Sequence, residues 1–281
     1  MVGSFKAVPS TTSNTHDLIR GSLWPRILVL GGVLLGLSGC SSGASNSDKD
    51  ATTSVVIAAA SDLRFAFTDL GAQFEDATGI GVTFTFGSSG QLKEQIINGA
   101  PFDLFASANE QFALDVVDAN KGWPETVEPY ALGRIVMMAR SGIDVPTTIT
   151  ELVREDFARI AIANPTHAPY GIAAREALQS VGIYDEVKSR LVFGENVSDT
   201  LRLIETGNVD AAIVALSLVI AGDVPYELIP DNVHTPLKQS IVVTKTGDNE
   251  SNARKFIEFL SSENGRRVME SYGFTLPLGA K

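Results

Sequence analysis

Residues 55–90 read VVIAAASDLRFAFTDLGAQFEDATGIGVTFTFGSSG, and their order of patterns decides the fold class. Val55 to Ala60 is an unbroken apolar run, the mark of a strand covered on both faces in a parallel sheet. Ser61 follows at once as a helix N-cap, and Leu63, Phe67, Leu70 and Phe74 then recur at helical spacing. Gly79 ends that helix, Val82 to Phe86 alternates as a second strand, and Gly87-Ser88-Ser89-Gly90 turns the chain into a second helix. Two hydroxyl-bearing helix starts therefore emerge side by side at one sheet edge. Each offers orphan N–H donors and the positive end of a helix dipole, a geometry suited to a small anion.

The same alternation continues. Leu92, Ile96 and Ile97 share a helix face, Phe102 to Ala106 is a third strand, and Asn109 starts a helix through Val117. Strand, helix, strand, helix, strand argues a doubly wound α/β lobe with right-handed crossovers, in which ligands bind beyond the carboxyl ends of the strands. Ile135 to Ala139 leaves this lobe and the pattern restarts. Thr147 to Leu152 reads as a short helix, Ile160 to Ala163 as a strand, Asn164 to Tyr170 as a loop and Gly171 to Gln179 as a helix. Leu191 to Phe193 is extended, Asn196 opens a helix to Glu205, and Ala211 to Val214 is a buried strand. A linking strand from Leu228, an extended return at Ser240 to Thr244, and helices at Asn252 to Leu260 and Gly265 to Ser271 complete the chain. The expectation is an α/β protein of two lobes with a cleft between them.

With 281 residues, 44% of them hydrophobic, the chain can bury a sizeable core. Its formal net charge of -11 leaves no basic footprint for nucleic acid, so an anion site has to act locally. The single cysteine, Cys40, excludes an internal disulfide framework and a cysteine-cluster metal site. Arg20 and Arg26, the apolar run Ile27 to Leu37, and Ser38-Gly39-Cys40 make a secretory signal, and the run is short for a membrane-spanning helix. Leu37-Ser38-Gly39-Cys40 resembles the bacterial lipobox, which implies cleavage before Cys40 and lipid on its thiol and new amino terminus. Ser41 to Thr53 is small and polar, a flexible tether.

Several residues carry two readings each. Ser61 is either a helix cap alone or a hydroxyl facing a ligand, and Ser88-Ser89 is either a bare turn or part of the same site. The loop Asn164-Pro-Thr-His-Ala-Pro-Tyr-Gly171 is stiffened by two prolines, and it can also present the N–H groups of Tyr170 and Gly171 at a helix start. Val197 packs as an apolar residue, yet its N–H lies in the first turn after Asn196, where it can donate to an oxyanion. Asp103 and Asp210 flank strands and read as structural. His167 and His234 stand far apart, so a catalytic triad has no support, and neither G-x-S-x-G nor G-x-x-x-x-G-K occurs.

AAASDL at 58–63, FGSSGQL at 86–92, GAPFDLFASA at 99–108, ANPTHAPYGIAAREAL at 163–178, ENV at 195–197 and ESYGFTLP at 270–277 together resemble the periplasmic molybdate-binding proteins of ABC transporters. The resemblance spans residues 54–281. It implies a type II periplasmic-binding-protein fold closing on a tetrahedral dianion, with residues 54–133 and 239–281 as lobe 1, 134–238 as lobe 2, a leader at 1–39 and a tether at 40–53 carrying lipidated Cys40. It also implies an exported, lipid-anchored, monomeric receptor, not an enzyme, that needs no cofactor and delivers molybdate or tungstate to an ABC transporter permease. By matching position, Ser61 and Ser89 would donate from hydroxyl and backbone, and Tyr170 and Val197 mainly from backbone N–H, with Ser88 and Ala215 lining the cavity.

Two departures concern the cavity. Tyr170 stands where many relatives have a small residue, and Ala215 where many have tyrosine, so the phenol is expected to fill the space that Ala215 leaves. Competing readings are a receptor for sulfate, phosphate or a phosphonate, and a secreted serine hydrolase, for which the sequence offers no convincing base. A ferric receptor fits less well, because no two of the five tyrosines are adjacent, and a regulatory effector domain conflicts with the export signal.

Overall fold

The computed structural model describes residues 54–275. The leader, the tether and Cys40 lie outside the described residues, as do the last six positions of the chain.

Two five-stranded mixed sheets form the two lobes. In the first, β1 (Ser54–Ala60) leads through the 3-10 turn Ser61–Leu63 into α1 (Arg64–Thr78), then to β2 (Gly81–Gly87), α2 (Ser89–Ile97), β3 (Leu104–Ser107) and α3 (Glu110–Asp118). β2 and β3 pair parallel with β1 on either side, as the apolar run predicted, and Val55, Ile57, Ala58 and Ala59 are fully buried. Gly79 caps α1 at φ 70°, a left-handed conformation that glycine adopts without steric cost.

The chain crosses to the second lobe between β4 (Glu128–Gly133) and β5 (Ile135–Ala139). There β6 (Ile160–Ala163), α4 (Pro169–Ser180), the one-turn helix α5 (Tyr184–Val187), β7 (Leu191–Gly194), α6 (Val197–Glu205), β8 (Ala211–Ala215) and β9 (Glu227–Leu228) follow. The sheet order is β7-β6-β8-β5-β9, with β5 antiparallel to β8. The return strand β10 (Leu237–Val243) enters the first sheet antiparallel between β3 and β4, and α7 (Glu250–Ser261) and α8 (Glu263–Ser271) finish the described chain. α7 is fixed to the first lobe by aromatic packing: the Phe256 ring lies 5.3 Å from Phe74 and 5.7 Å from Phe67, both edge-on.

Local differences from the sequence expectations have local causes. The Thr147–Leu152 helix is a 3-10 segment, Ile149–Val153. α4 begins at Pro169, two residues before the expected start, because proline suits the first helical position. β4 carried no legible strand pattern, because Pro129 interrupts it on an edge strand where a missing N–H is tolerated, whereas the linking strand expected from Leu228 is the two-residue β9. Asp103 accepts from the Val56 and Asn249 N–H groups, and Asp210 from the Arg159 N–H and the Arg140 guanidinium, so both aspartates hold the scaffold.

Candidate functional site

Four chain turns meet where the two sheets face each other: those after β1, β2, β6 and β7. They enclose a small cavity lined by Ser61, Asp62, Ser88, Ser89, Tyr170 and Val197 among others. The cavity has a volume of ≈ 10 Å³. Such a cavity suits a ligand of a few heavy atoms and is far below the size of drug-like or cofactor sites.

The three serines differ in their hydrogen bonds. Ser89 Oγ accepts from the Ala108 N–H at 3.0 Å, and Ser61 Oγ accepts from the Ser198 N–H at 3.4 Å. Each hydroxyl therefore keeps its own proton to donate. Ser88 has spent its proton on the His167 carbonyl at 2.7 Å, so the His167 Nδ1, 2.9 Å from the same oxygen, must be the donor to it. This pair ties the lobes together, and its bond direction is wrong for a nucleophile and its base. Ser61 does not cap a helix as expected: the cap of its 3-10 turn is Ala60, with no side-chain bond. Ser88 likewise caps α2 without a side-chain bond, because its hydroxyl is turned across the cleft.

The second lobe brings two helix starts. In α4, Pro169 has no N–H and the Gly171 N–H closes back on the Ala168 carbonyl, which removes Gly171 as a donor and leaves the Tyr170 N–H at the helix mouth. In α6, the Asn196 side chain caps the Asp199 N–H and the Ser198 N–H goes to Ser61, which leaves the Val197 N–H. Ser61, Ser89, Tyr170 and Val197 thus border one cavity. Ala215 is fully buried opposite Ile135 and is not among the residues lining it.

The cleft is closed. Ser198 Oγ donates to the Ser61 carbonyl at 2.8 Å, the Gly90 N–H to the His167 carbonyl at 3.0 Å, and Ser217 Oγ to the Asp62 carbonyl at 2.8 Å. Deeper in, the Tyr170 phenol donates to Asp62 Oδ2 at 2.9 Å, and Gln239 Nε2 donates to the same oxygen at 2.6 Å. Tyr130 donates to Gln239 Oε1 at 2.8 Å and so orients that amide. Burial pushes the Asp62 carboxyl up to about 6, against the opposing pull of hydrogen bonds from Gln239, from Tyr170 and from its own backbone N–H. Burial, then the Asp62 charge, raises the Tyr130 and Tyr170 phenols well above the usual range. Asp62, Gln239 and Tyr130 escaped the sequence reading; the available signal was a carboxylate directly after an apolar strand, beside a candidate ligand serine.

This two-lobed α/β architecture and its closed interlobe cavity define a solute-binding protein. The chain belongs to the family of bacterial extracellular solute-binding proteins, which it matches over residues 55–275. It is similar to the molybdate-binding protein ModA of Rhodobacter capsulatus, at 32% identity over 224 residues, 78% of this chain and 87% of that protein. It is also similar to the putative ABC transporter substrate-binding lipoprotein YvgL of Bacillus subtilis strain 168, at 30% identity over 244 residues, 85% of this chain and 93% of that protein. Among solved structures, the Azotobacter vinelandii periplasmic molybdate-binding protein superposes with a TM-score of 0.74 at 28% identity, covering 79% of this chain and 99% of the other. The fold is that of the periplasmic binding proteins.

Proposed function

We propose that this chain captures molybdate or tungstate between its lobes and delivers it to an ABC transporter permease. The observation that carries the reading is the convergence of neutral donors with no acceptor among the described residues, the Ser61 and Ser89 hydroxyls and the Tyr170 and Val197 N–H groups, on one compact cavity at helix starts. Charge-assisted hydrogen bonds in a closed, dry cleft are strong enough to hold a dianion without a counter-charge. Neither serine serves as a nucleophile, since among the described residues no base is hydrogen-bonded to the Ser61 or Ser89 hydroxyl. No cofactor takes part. Sulfate is smaller than molybdate, so a rigid cavity rejects it by leaving donors out of reach.

Export as a lipoprotein anchored through Cys40 completes the reading. It is supported by Leu37-Ser38-Gly39-Cys40 and by the lipoprotein name of the Bacillus relative. The receptor acts as a monomer outside the cytoplasm and presents both lobes to its permease.

The test is the melting temperature of the purified chain with molybdate, tungstate, sulfate and phosphate added separately. A specific binder is raised only by its own anion, by about 2.7 kcal/mol of stability at a hundredfold excess over Kd. A shift with sulfate, phosphate or a phosphonate and none with molybdate or tungstate reassigns the ligand.

A further inference from the structure

Asp62 is the one ionisable side chain among the cavity-lining residues apart from Tyr170, and it is 1% exposed. Its two oxygens are treated differently. Oδ2 receives the Tyr170 phenol and the Gln239 amide, while Oδ1 is buried and takes no hydrogen bond from any other described residue. An ionised carboxylate with one buried, unpartnered oxygen is costly, and placing a dianion in the same cavity adds like-charge repulsion. Protonation removes both penalties. The proton belongs on Oδ1, because Oδ2 already accepts two hydrogen bonds, and an Oδ1–H is a donor in need of an acceptor.

Resting on the oxyanion reading above, we propose that Asp62 serves this site as a neutral acid that donates from Oδ1 to the bound oxyanion, so that capture of one dianion takes up one proton from solvent. The carboxylate gains H⁺, no other bond changes, and the closed complex carries one negative charge fewer than its separated parts. Asp62 thereby discriminates for anions able to accept at that point of the cavity.

The surroundings leave Asp62 as the titrating group. On the elements packed against it, the 3-10 turn meets Tyr170 of α4 and, through Gln239 of β10, Tyr130 of β4; both phenols stay protonated because burial holds them well above their usual range. α4 also carries Arg175 and Glu176, the latter bonded to the Thr235 N–H, β10 carries the exposed Lys238, and β4 the exposed Glu128. α1 brings Arg64, whose guanidinium lies over the Phe86 ring, together with Asp69, Glu75 and Asp76. α6 brings Asp199 and Arg202, paired at 2.6 Å, and Glu205. No charged group is among the causes that raise the Asp62 carboxyl; burial dominates.

The experiment is calorimetric titration of the full chain with micromolar molybdate from about pH 5.5 to about pH 8.5, each pH repeated in two buffers of different ionisation enthalpy. The expected result is an affinity that falls up to about tenfold per unit above about pH 6, with proton uptake rising from a small fraction at about pH 5.5 toward one per anion above about pH 7. Asp62→Asn supplies a permanent amide donor and is expected to bind with an affinity independent of pH and of buffer. His167 is present in both proteins, so their difference isolates position 62. Binding by the unaltered chain with flat affinity and no proton exchange overturns the proposal, as does an Asp62→Asn protein that keeps the wild-type pH slope. If Asp62→Asn does not fold, the proton count of the unaltered chain decides alone. Absence of binding at every pH by molybdate, tungstate, sulfate and phosphate alike overturns the oxyanion reading itself, and this proposal with it.

Discussion

Tyr170, at the start of α4 in the second lobe, donates its phenol to Oδ2 of Asp62, just past β1 in the first lobe, at 2.9 Å. The bond joins the two lobes across the cleft. It gives the phenol a role separate from the Tyr170 backbone N–H, which the cavity keeps whatever the side chain.

Tyr170→Phe removes one of the two donors to a buried oxygen and is expected to cost about 1–3 kcal/mol of stability. Tyr170→Ala also opens a void and is expected to cost about 3–5 kcal/mol. Urea unfolding measures both. Calorimetry of the same proteins tests whether the phenol shapes the cavity: unchanged molybdate affinity in both would show that it does not.

Asp62 makes stability depend on pH with a definite sign. Its carboxyl sits at about 6 in the fold against an ordinary 3.8, so the protonated form is favoured in the folded state. Its contribution is fully present below about pH 4 and is lost as pH rises through about 6, a total of about 3 kcal/mol. Asp62→Asn is expected to flatten this part of the profile, and to be more stable than the unaltered chain at pH 8 without ligand. Chemical denaturation across the range checks it; a wild-type profile that rises between pH 4 and 7 by the same amount in both proteins would contradict it.

Ser61, Ser88 and Ser89 border the same cavity but differ in their hydrogen bonds. Ser61→Ala and Ser89→Ala each remove a charge-assisted donor and are expected to weaken molybdate binding by about 1.5–3 kcal/mol, roughly ten- to hundredfold. Ser88→Ala loses a bond between lobes and is expected to act mainly on closure, read as faster anion release in stopped-flow fluorescence.

Gly90 approaches the second lobe so closely that an added Cβ would stand 2.5 Å from the His167 carbonyl oxygen. Gly90→Ala is therefore expected to hold the cleft ajar: molybdate affinity falls at least about tenfold, while the melting point without ligand moves little. Small-angle scattering with and without molybdate measures the closure directly.

The first lobe was largely legible in the chain, because a parallel strand buried on both faces must be continuously apolar and each helix between strands must carry a 3.6-residue stripe. Val55–Ala60 and the Leu63, Phe67, Leu70, Phe74 series satisfy both demands. β4, interrupted by Pro129, did not, since pairing with β10 rather than its own pattern makes it a strand. Ser61, Ser89, Tyr170 and Val197 were legible as helix starts, because an orphan N–H is a property of local backbone geometry.

Local chain chemistry thus determined the two α/β lobes, the helix starts that face the cleft and the family resemblance carried by their loops. Only the tertiary structure decided which hydroxyls keep a proton to give, that Ser88 binds His167 across the cleft, and that Asp62 lies buried with one oxygen held by Tyr170 and Gln239 and the other unpartnered. These facts join residues 79 to 177 positions apart, and burial and hydrogen-bond direction at such separations are settled by how the lobes close, on which no local pattern bears.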